Sequence, residues 1–134
     1  MSSTKTRFMQ VVEFNHDVLG IKDRRIKLQE RSEAGLSYIQ LLEEAEEFAE
    51  AYQKDDMVEA VDAVCDSIYF AYGILYKMGI SEEKFNDIFS VIHNANMNKK
   101  LGTKKGREGY DAFDATKPEG WVAPEDQILE VLLK

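Results

Sequence analysis

Leu41–Tyr76 reads LLEEAEEFAEAYQKDDMVEAVDAVCDSIYFAYGILY, a stretch at once apolar and acidic, in which Lys54 is the only basic residue between Arg31 and Lys77. Leu41, Leu42, Ala45, Phe48, Ala49 and Tyr52 recur at the spacing of one face of an amphipathic helix. Val61, Val64, Cys65, Ile68, Tyr72 and Leu75 repeat that pattern in a second helix. The short polar QKDD between them predicts a turn, and so an antiparallel helical hairpin whose apolar stripes face a core.

Turning each residue by about 100° around the axis sorts the acids. Glu59, Asp62 and Asp66 share one narrow stripe, flanked on its far side by Ala63, Phe70 and Ile74, so the second helix is apolar on both sides of its carboxylates. On the first helix Glu43, Glu44 and Glu47 line one edge of the apolar seam, while Glu46 and Glu50 point farther out. Closing the hairpin would bring two acidic stripes together with no cation in sequence to offset them. Carboxylates held close repel and resist desolvation, so such a set needs water or a metal ion. All-oxygen donors suit hard Mg²⁺, with Mn²⁺ as an alternative. A redox di-metal bundle would use a Glu-x-x-His pair on each of two helices; Glu13 stands three before His16, but Ser90 stands three before His93, so the second pair is missing. The plainer reading of a Glu-rich helix is a solvated face, and the apolar flanks of the second helix speak against it here.

At 134 residues with 44% hydrophobic content, the chain suits one domain spanning 1–134 with a real core. A formal net charge of −8 disfavours nucleic-acid binding through phosphate contacts, though not a small anionic substrate carried with metal. The single cysteine, Cys65, lies on the expected apolar seam and reads as a small core residue. MSSTKTRF has no apolar signal core, and Asp62 and Asp66 interrupt the apolar run, so a cytoplasmic protein outside the membrane is expected.

From Phe8 to Leu19 the apolar positions Phe8, Val11, Val12, Val18 and Leu19 share a helical face that also contains Asn15, with Gly20 as a stop. IKDRRIKLQER reads as a basic connector into the acidic helix. Gly79 ends the second helix and Ser81 starts the next, whose buried face is expected to be Phe85, Ile88, Phe89, Ile92 and Ala95, with Asn96 among them. Amides at core positions need partners, so Asn15 and Asn96 either tie helix ends together or read the edge of a base. Residues 98–125 form a basic loop followed by the KPEGW turn, with Lys99, Lys100, Lys104, Lys105, Arg107 and Lys117 gathered in an otherwise acidic chain. Such a loop suits a polyphosphate beside a carboxylate-metal site, while Lys104, Lys105 and Arg107 read as solubilising surface. QILEVLLK is a short amphipathic helix. The expected architecture is therefore all-α, an antiparallel bundle of four to five helices around the acidic hairpin and completed by oligomerisation.

EEAEE at Glu43–Glu47, the acids of EAVDAVCDSIYFAYG, and VIHNANMNKK followed by KPEGW resemble the MazG-like all-α nucleoside triphosphate pyrophosphohydrolases. Dimeric dUTPases and phosphoribosyl-ATP pyrophosphohydrolases are among that group. The resemblance runs from about Phe14 to Pro124. It implies Mg²⁺-dependent cleavage between the α and β phosphates of a nucleotide, giving a monophosphate and pyrophosphate. Glu43, Glu44, Glu47 and Asp66 are implied as metal ligands, with Glu43 or Glu47 taking the proton of an attacking water. The family's second motif is ExxD before an apolar-aromatic run, but Ala63 stands three before Asp66; Glu59 or Asp62 must supply the missing acid, and Tyr69 in the aromatic position joins the candidates. Lys99 and Lys117 would meet the phosphates and Asn15 and Asn96 the base. Expected substrates are a deoxyribonucleotide such as dUTP or dCTP, or alternatively phosphoribosyl-ATP, acted on by a homodimer or higher homo-oligomer. A non-catalytic acidic protein that binds metal or a basic partner is the reading from another class.

Overall fold

The structure, a computed structural model, describes residues 4–134 apart from the side chains of residues 111–113. Its helices are α1 (Arg7–Asp17), α2 (Arg31–Gln53), α3 (Met57–Lys77), α4 (Glu82–Met97) and α5 (Glu125–Leu133). A small antiparallel ribbon of β1 (Lys100–Gly102) and β2 (Asp114–Thr116) and a 3₁₀ segment interrupt an otherwise all-α chain. Two compact units emerge, residues 1–82 and 83–134. No helix among the described residues is long and apolar enough to cross a membrane.

In the first unit α2 and α3 form the expected hairpin, with α1 packed on α3. The turn is built from backbone. Asp56 N–H donates to Ala51 O (2.9 Å) and Asp55 N–H to Tyr52 O (3.1 Å), the paired bonds of a Schellman cap. Asp55 occupies its left-handed position at φ 53°. Asp56 then starts α3, its carboxylate accepting from Glu59 N–H at 3.0 Å. Gly79 closes α3 in the same way, with Gly79 N–H on Tyr76 O and Ile80 N–H on Leu75 O. Its φ is +80°, and a Cβ there would lie 2.5 Å from Arg25 O.

The faces of the hairpin are the reverse of the apolar-stripe expectation. On α2 the buried residues are Ser37, Glu44 and Ala51, seven apart, with Gln40 half-covered between them. On α3 Ala63 and Gly73 are buried and Asp66, Phe70 and Lys77 half-covered, again alternating by three and four. Leu42 and Phe48 are each 44% exposed, Tyr52 78%, Val61 and Val64 each 47% and Ile68 49%. Cys65, expected in the core, is exposed with them. Small and acidic residues let the two helices approach, while the bulky stripes lie on the flanks, where the described residues leave them about half exposed. The core of this unit is correspondingly thin: Phe8, Val11, Ala51, Ala63, Tyr76 and Ile80.

α1 starts at a Thr6 cap, with Thr6 Oγ1 accepting from Met9 N–H, and stops at Asp17. Val18 and Leu19, expected on its buried face, are exposed beyond its end. The connector at IKDRRIKLQER, irregular or a short helix on its sequence, is irregular, and polar groups hold residues 18–30 down. Tyr76 Oη donates to Ile21 O (2.7 Å), and the Arg24 guanidinium grips Glu33 through two bonds (2.6 and 2.9 Å) and Lys77 O at 3.2 Å. Gln29 bridges Glu33 and Ser37. That hydrogen bonding to Arg24 holds the Glu33 carboxyl below its ordinary range.

In the second unit the ribbon pairs Lys100 with Thr116, Leu101 with Ala115 and Gly102 with Asp114. The Trp121 indole N–H donates to Ala95 O (2.7 Å), anchoring the KPEGW turn on α4. Lys84 Nζ donates to Val131 O and Lys134 O, a cation at the carbonyl end of α5. The expected buried face of α4 is only half-covered, Phe89 is exposed, and Asn96, expected at a core position, is exposed too.

Candidate active site

The inward seam of the hairpin gathers carboxylates. Glu44 is 8% exposed, and its Oε2 has no hydrogen-bond partner. Its carboxyl is pushed up to about 7, first by burial, then by hydrogen bonding to Glu47 and by the negative charges of Glu47, Asp66 and Asp62. Asp66 is pushed up as well, by burial and then by the charges of Asp62 and Glu47. Glu44, Glu47, Asp62 and Asp66 therefore form one electrostatic group drawn from two helices. Among the described residues no basic side chain is ion-paired with any of the four.

Glu43 and Glu59 are exposed, as Glu47 and Asp62 are, and the charges that raise Glu44 and Asp66 include those of the latter pair. Glu43 is exposed, one residue away from the seam, and its charge does not figure among those raising Glu44. Glu59 is exposed in the first turn of α3, where an acid complements the helix N-terminus and its N–H is held by Asp56. Of the two α3 candidates it is Asp62, one turn before Asp66, whose charge raises both carboxyls, as that of Glu47 does from α2.

The set fits a hard divalent cation by its chemistry: four oxygen-donor side chains, one with a buried oxygen left unpartnered. As they stand, no three His, Cys, Asp or Glu side chains among the described residues are gathered closely enough to hold an ion. The fit rests on the donors and on the orphaned Glu44 oxygen.

One turn along the same seam lies a pocket of about 170 Å³ lined by Phe14, Asn15, Gln40, Tyr69, Phe70 and Lys77, among others. Gln40 is four residues before Glu44 and Phe70 four after Asp66, an axial separation of about 6 Å at 1.5 Å per residue. Asn15 is 3% exposed, its Nδ2 donates to Val11 O (2.9 Å), and Gly73 makes room for it on α3, where a Cβ would stand 3.3 Å from that nitrogen. Phe14 and Tyr69 meet edge to face, their centroids 5.6 Å apart. The volume is below the roughly 300–1,000 Å³ of pockets that enclose a whole ligand, so this one suits a ring rather than a full nucleotide. Gln40 and Lys77 escape a reading of the sequence alone. Their signal is the three-and-four spacing from Glu44 and Asp66, masked by the stronger Leu and Phe pattern.

Asn96, Lys99 and Lys117 belong to the second unit. Lys99 and Lys117 carry their ammonium groups 5.3 and 5.1 Å from the centroid of the Trp121 ring.

No curated protein matches the chain. Residues 22–96 match a family described as phosphoribosyl-ATP pyrophosphohydrolase, a span that includes the whole acidic hairpin and more than half of the 134 residues. With its helical hairpin and inward carboxylates, the chain belongs to the phosphoribosyl-ATP pyrophosphohydrolase family, within the MazG-like all-α nucleoside triphosphate pyrophosphohydrolases, and is a hydrolase of phosphoric anhydrides.

Proposed function

We propose that the chain cleaves the α–β phosphoric anhydride of a nucleotide, with the carboxylate seam of α2 and α3 as its active site. The observation that carries this reading is the buried Glu44 carboxyl, its Oε2 without a hydrogen-bond partner, beside the carboxylates of Glu47, Asp62 and Asp66. Those four side chains would hold Mg²⁺, or Mn²⁺ in its place. Such an ion, when bound, offsets phosphate charge and lowers the pKa of a water molecule. Glu47, exposed at the edge of the seam yet coupled to Glu44, is the carboxylate suited to accept the proton of the attacking water; Glu43 lacks that coupling. The water oxygen joins the α phosphorus, and the bridging oxygen leaves with pyrophosphate.

Two substrates have separate support. The small pocket with the amides of Asn15 and Gln40 favours a pyrimidine ring, hence dUTP or dCTP, with Tyr69 as one wall. The family match favours phosphoribosyl-ATP. A second copy of the chain covering the exposed stripes of Leu42, Phe48, Val61, Val64 and Ile68 completes the proposed enzyme.

The test is release of pyrophosphate from dUTP, dCTP, the common nucleoside triphosphates and phosphoribosyl-ATP, with Mg²⁺ and with chelator, for the wild type and Asp66→Asn. Turnover of one substrate that is lost with chelator and in the variant supports the reading and names the substrate. Silence across the panel from folded protein returns the chain to the metal- or partner-binding class.

A further inference from the structure

Lys77, half-covered in the last turn of α3, is the one cationic side chain lining the pocket beside the acids. Its charge helps to lower the Glu33 carboxyl, but that carboxylate is taken up by Arg24 and Gln29. Among the described residues Lys77 is ion-paired with no acid. In the same pocket Asn15 is 3% exposed, and the bond from its Nδ2 to Val11 O (2.9 Å) leaves Oδ1 without a partner. Turning that amide over would set Oδ1 against a carbonyl, so its orientation is fixed. Among the described residues only Glu44 Oε2 is both unpartnered and closed off from solvent, so Asn15 Oδ1 opens onto the pocket that Asn15 lines.

The hairpin fixes the order of these groups. Phe70, Gly73 and Lys77 follow Asp66 by about 6, 10 and 16 Å along α3, at 1.5 Å per residue. Gln40, four residues before Glu44 on antiparallel α2, stands at the level of Phe70, and Asn15 packs on Gly73. Leading away from the acids, the pocket therefore offers an amide that can donate or accept, an acceptor, and a donor that cannot accept. A nucleotide whose phosphates reach back to Asp66 enters with position 2 of its ring, beside the glycosidic nitrogen, at Gln40 and position 4 at Lys77. An imide edge, as in uracil, then runs carbonyl, N–H, carbonyl and meets a donor, an acceptor and a donor. Cytosine carries an amino group at position 4 and a lone pair at position 3, so donor faces donor at Lys77 and acceptor faces acceptor at Asn15. Shifted by one position toward the acids, cytosine can give its amino group to Asn15 Oδ1, but it then gains nothing from Lys77.

We propose that Lys77 sets the base specificity of this site by donating to the carbonyl at position 4 of the ring, so that with Asn15 the pocket selects an imide-edged pyrimidine over cytosine. This deepens, and rests on, the active site proposed above.

Initial rates with Mg²⁺ give kcat/KM for dUTP and dCTP, and calorimetry gives the binding of dUMP and dCMP, for the wild type, Lys77→Met, Lys77→Arg and Lys54→Met. The wild type should prefer dUTP to dCTP by about 100-fold or more. Lys77→Met, matched in length, should lower kcat/KM for dUTP about tenfold and leave dCTP unchanged. Lys77→Arg keeps a cationic donor and should retain most of the preference, while Lys54→Met, which removes an exposed cation at the other end of the hairpin, should alter neither rate. Equal losses for the two nucleotides in Lys77→Met would make the ammonium a general attractor of phosphate or a structural group, and would overturn the inference. A wild-type preference for dCTP overturns it as well. Turnover of phosphoribosyl-ATP with no binding of dUMP overturns it while leaving the proposed hydrolysis standing. Conversely, Lys77-dependent binding of dUMP over dCMP in a protein that hydrolyses nothing would sink the hydrolysis and keep the recognition.

Discussion

Replacing Glu44 by Gln should stabilise the metal-free protein while removing its activity. The carboxyl titrates at about 7 in the fold, against an ordinary value of 4.5 that the unfolded chain restores. Between those values the folded chain binds more protons than the unfolded one, so stability falls as pH rises through that window and levels off above it. A displacement of that size corresponds to about 3 kcal/mol at full effect. Glu44 is covered but lies close to the surface, where solvent screens part of the interaction, so about 1–2 kcal/mol is the realistic share. Gln keeps the shape and carries no charge. At pH 8 in chelator, Glu44→Gln should therefore exceed the wild type by about 1–2 kcal/mol, or roughly 3–8 °C in Tm, and the advantage should vanish near pH 4.5. Urea titrations at pH 4.5, 6, 7 and 8 give the difference directly. Glu44 and Asp66 repel each other, so the difference between the curves reports the Glu44 charge together with the relief that its removal gives Asp66. Turnover with Mg²⁺ should drop at least about 100-fold, as expected when a group acting on developing charge is lost. Parallel stability profiles for the two proteins would refute the claim that Glu44 is held uncompensated in the seam.

Three further expectations concern the scaffold. Gly79→Ala should cost about 2–4 kcal/mol in urea denaturation, because the new Cβ meets Arg25 O at 2.5 Å and the φ of +80° is strained for Ala; Gly106→Ala, at φ +89° with open space around it, should cost about 1 kcal/mol. Asp55→Gly should gain about 0.5–1 kcal/mol by relieving the left-handed position at φ 53° in the α2 cap. Glu33→Gln should cost about 1 kcal/mol at pH 7 and progressively less as the pH is lowered below 4.5. Its lowered carboxyl contributes stability that is full above the unfolded value of 4.5 and lost as pH falls through the folded one, which thermal melts across pH 3–7 would follow.

The order of elements was legible because its signals are local. The QKDD turn and Gly79 act within a turn of their own positions and end helices where the sequence placed the ends, whereas Gly20, read as the stop of α1, lies three residues past Asp17, and the β1–β2 ribbon left no signal in the basic loop. The orientation of the hairpin was not, because two competing stripes run along each helix. Apolar periodicity ranks Leu42, Phe48 and Ile68 above Ser37, Glu44 and Gly73, and that ranking assumes a single chain must cover its own largest side chains. Here the smaller set faces inward. The acidity of the hairpin was legible, because Glu59, Asp62 and Asp66 share a stripe on which the sequence places no basic residue. The separation of Glu59 from Asp62 was not, since it depends on Asp56 capping α3 and so fixing where its first turn begins. Asn15 could be marked as an amide on an apolar face, but the space it occupies is created by Gly73, fifty-eight residues later, which only packing reveals.

A hairpin with Ser, Gln, Glu and Asp along its seam gains little from closing that seam. Burial at about 25 cal/mol per Å² of apolar surface rewards the outer stripes instead, and these stand half-exposed in the single chain. What holds the acids in place is peripheral: the connector tied by Arg24, Glu33 and Tyr76, the packing of Phe8 and Val11 of α1 against α3, and the backbone caps at Asp55 and Gly79. The proposed second copy would add the missing apolar burial on the flanks without touching a carboxylate. Catalytic geometry and assembly would then be linked through α2 and α3 themselves, since each helix turns one face to the acids and another to the partner. A charged residue at Ile68 should accordingly lower both the mass seen in sedimentation and the turnover, whereas the same charge at exposed Glu46 of α2 should leave both unchanged.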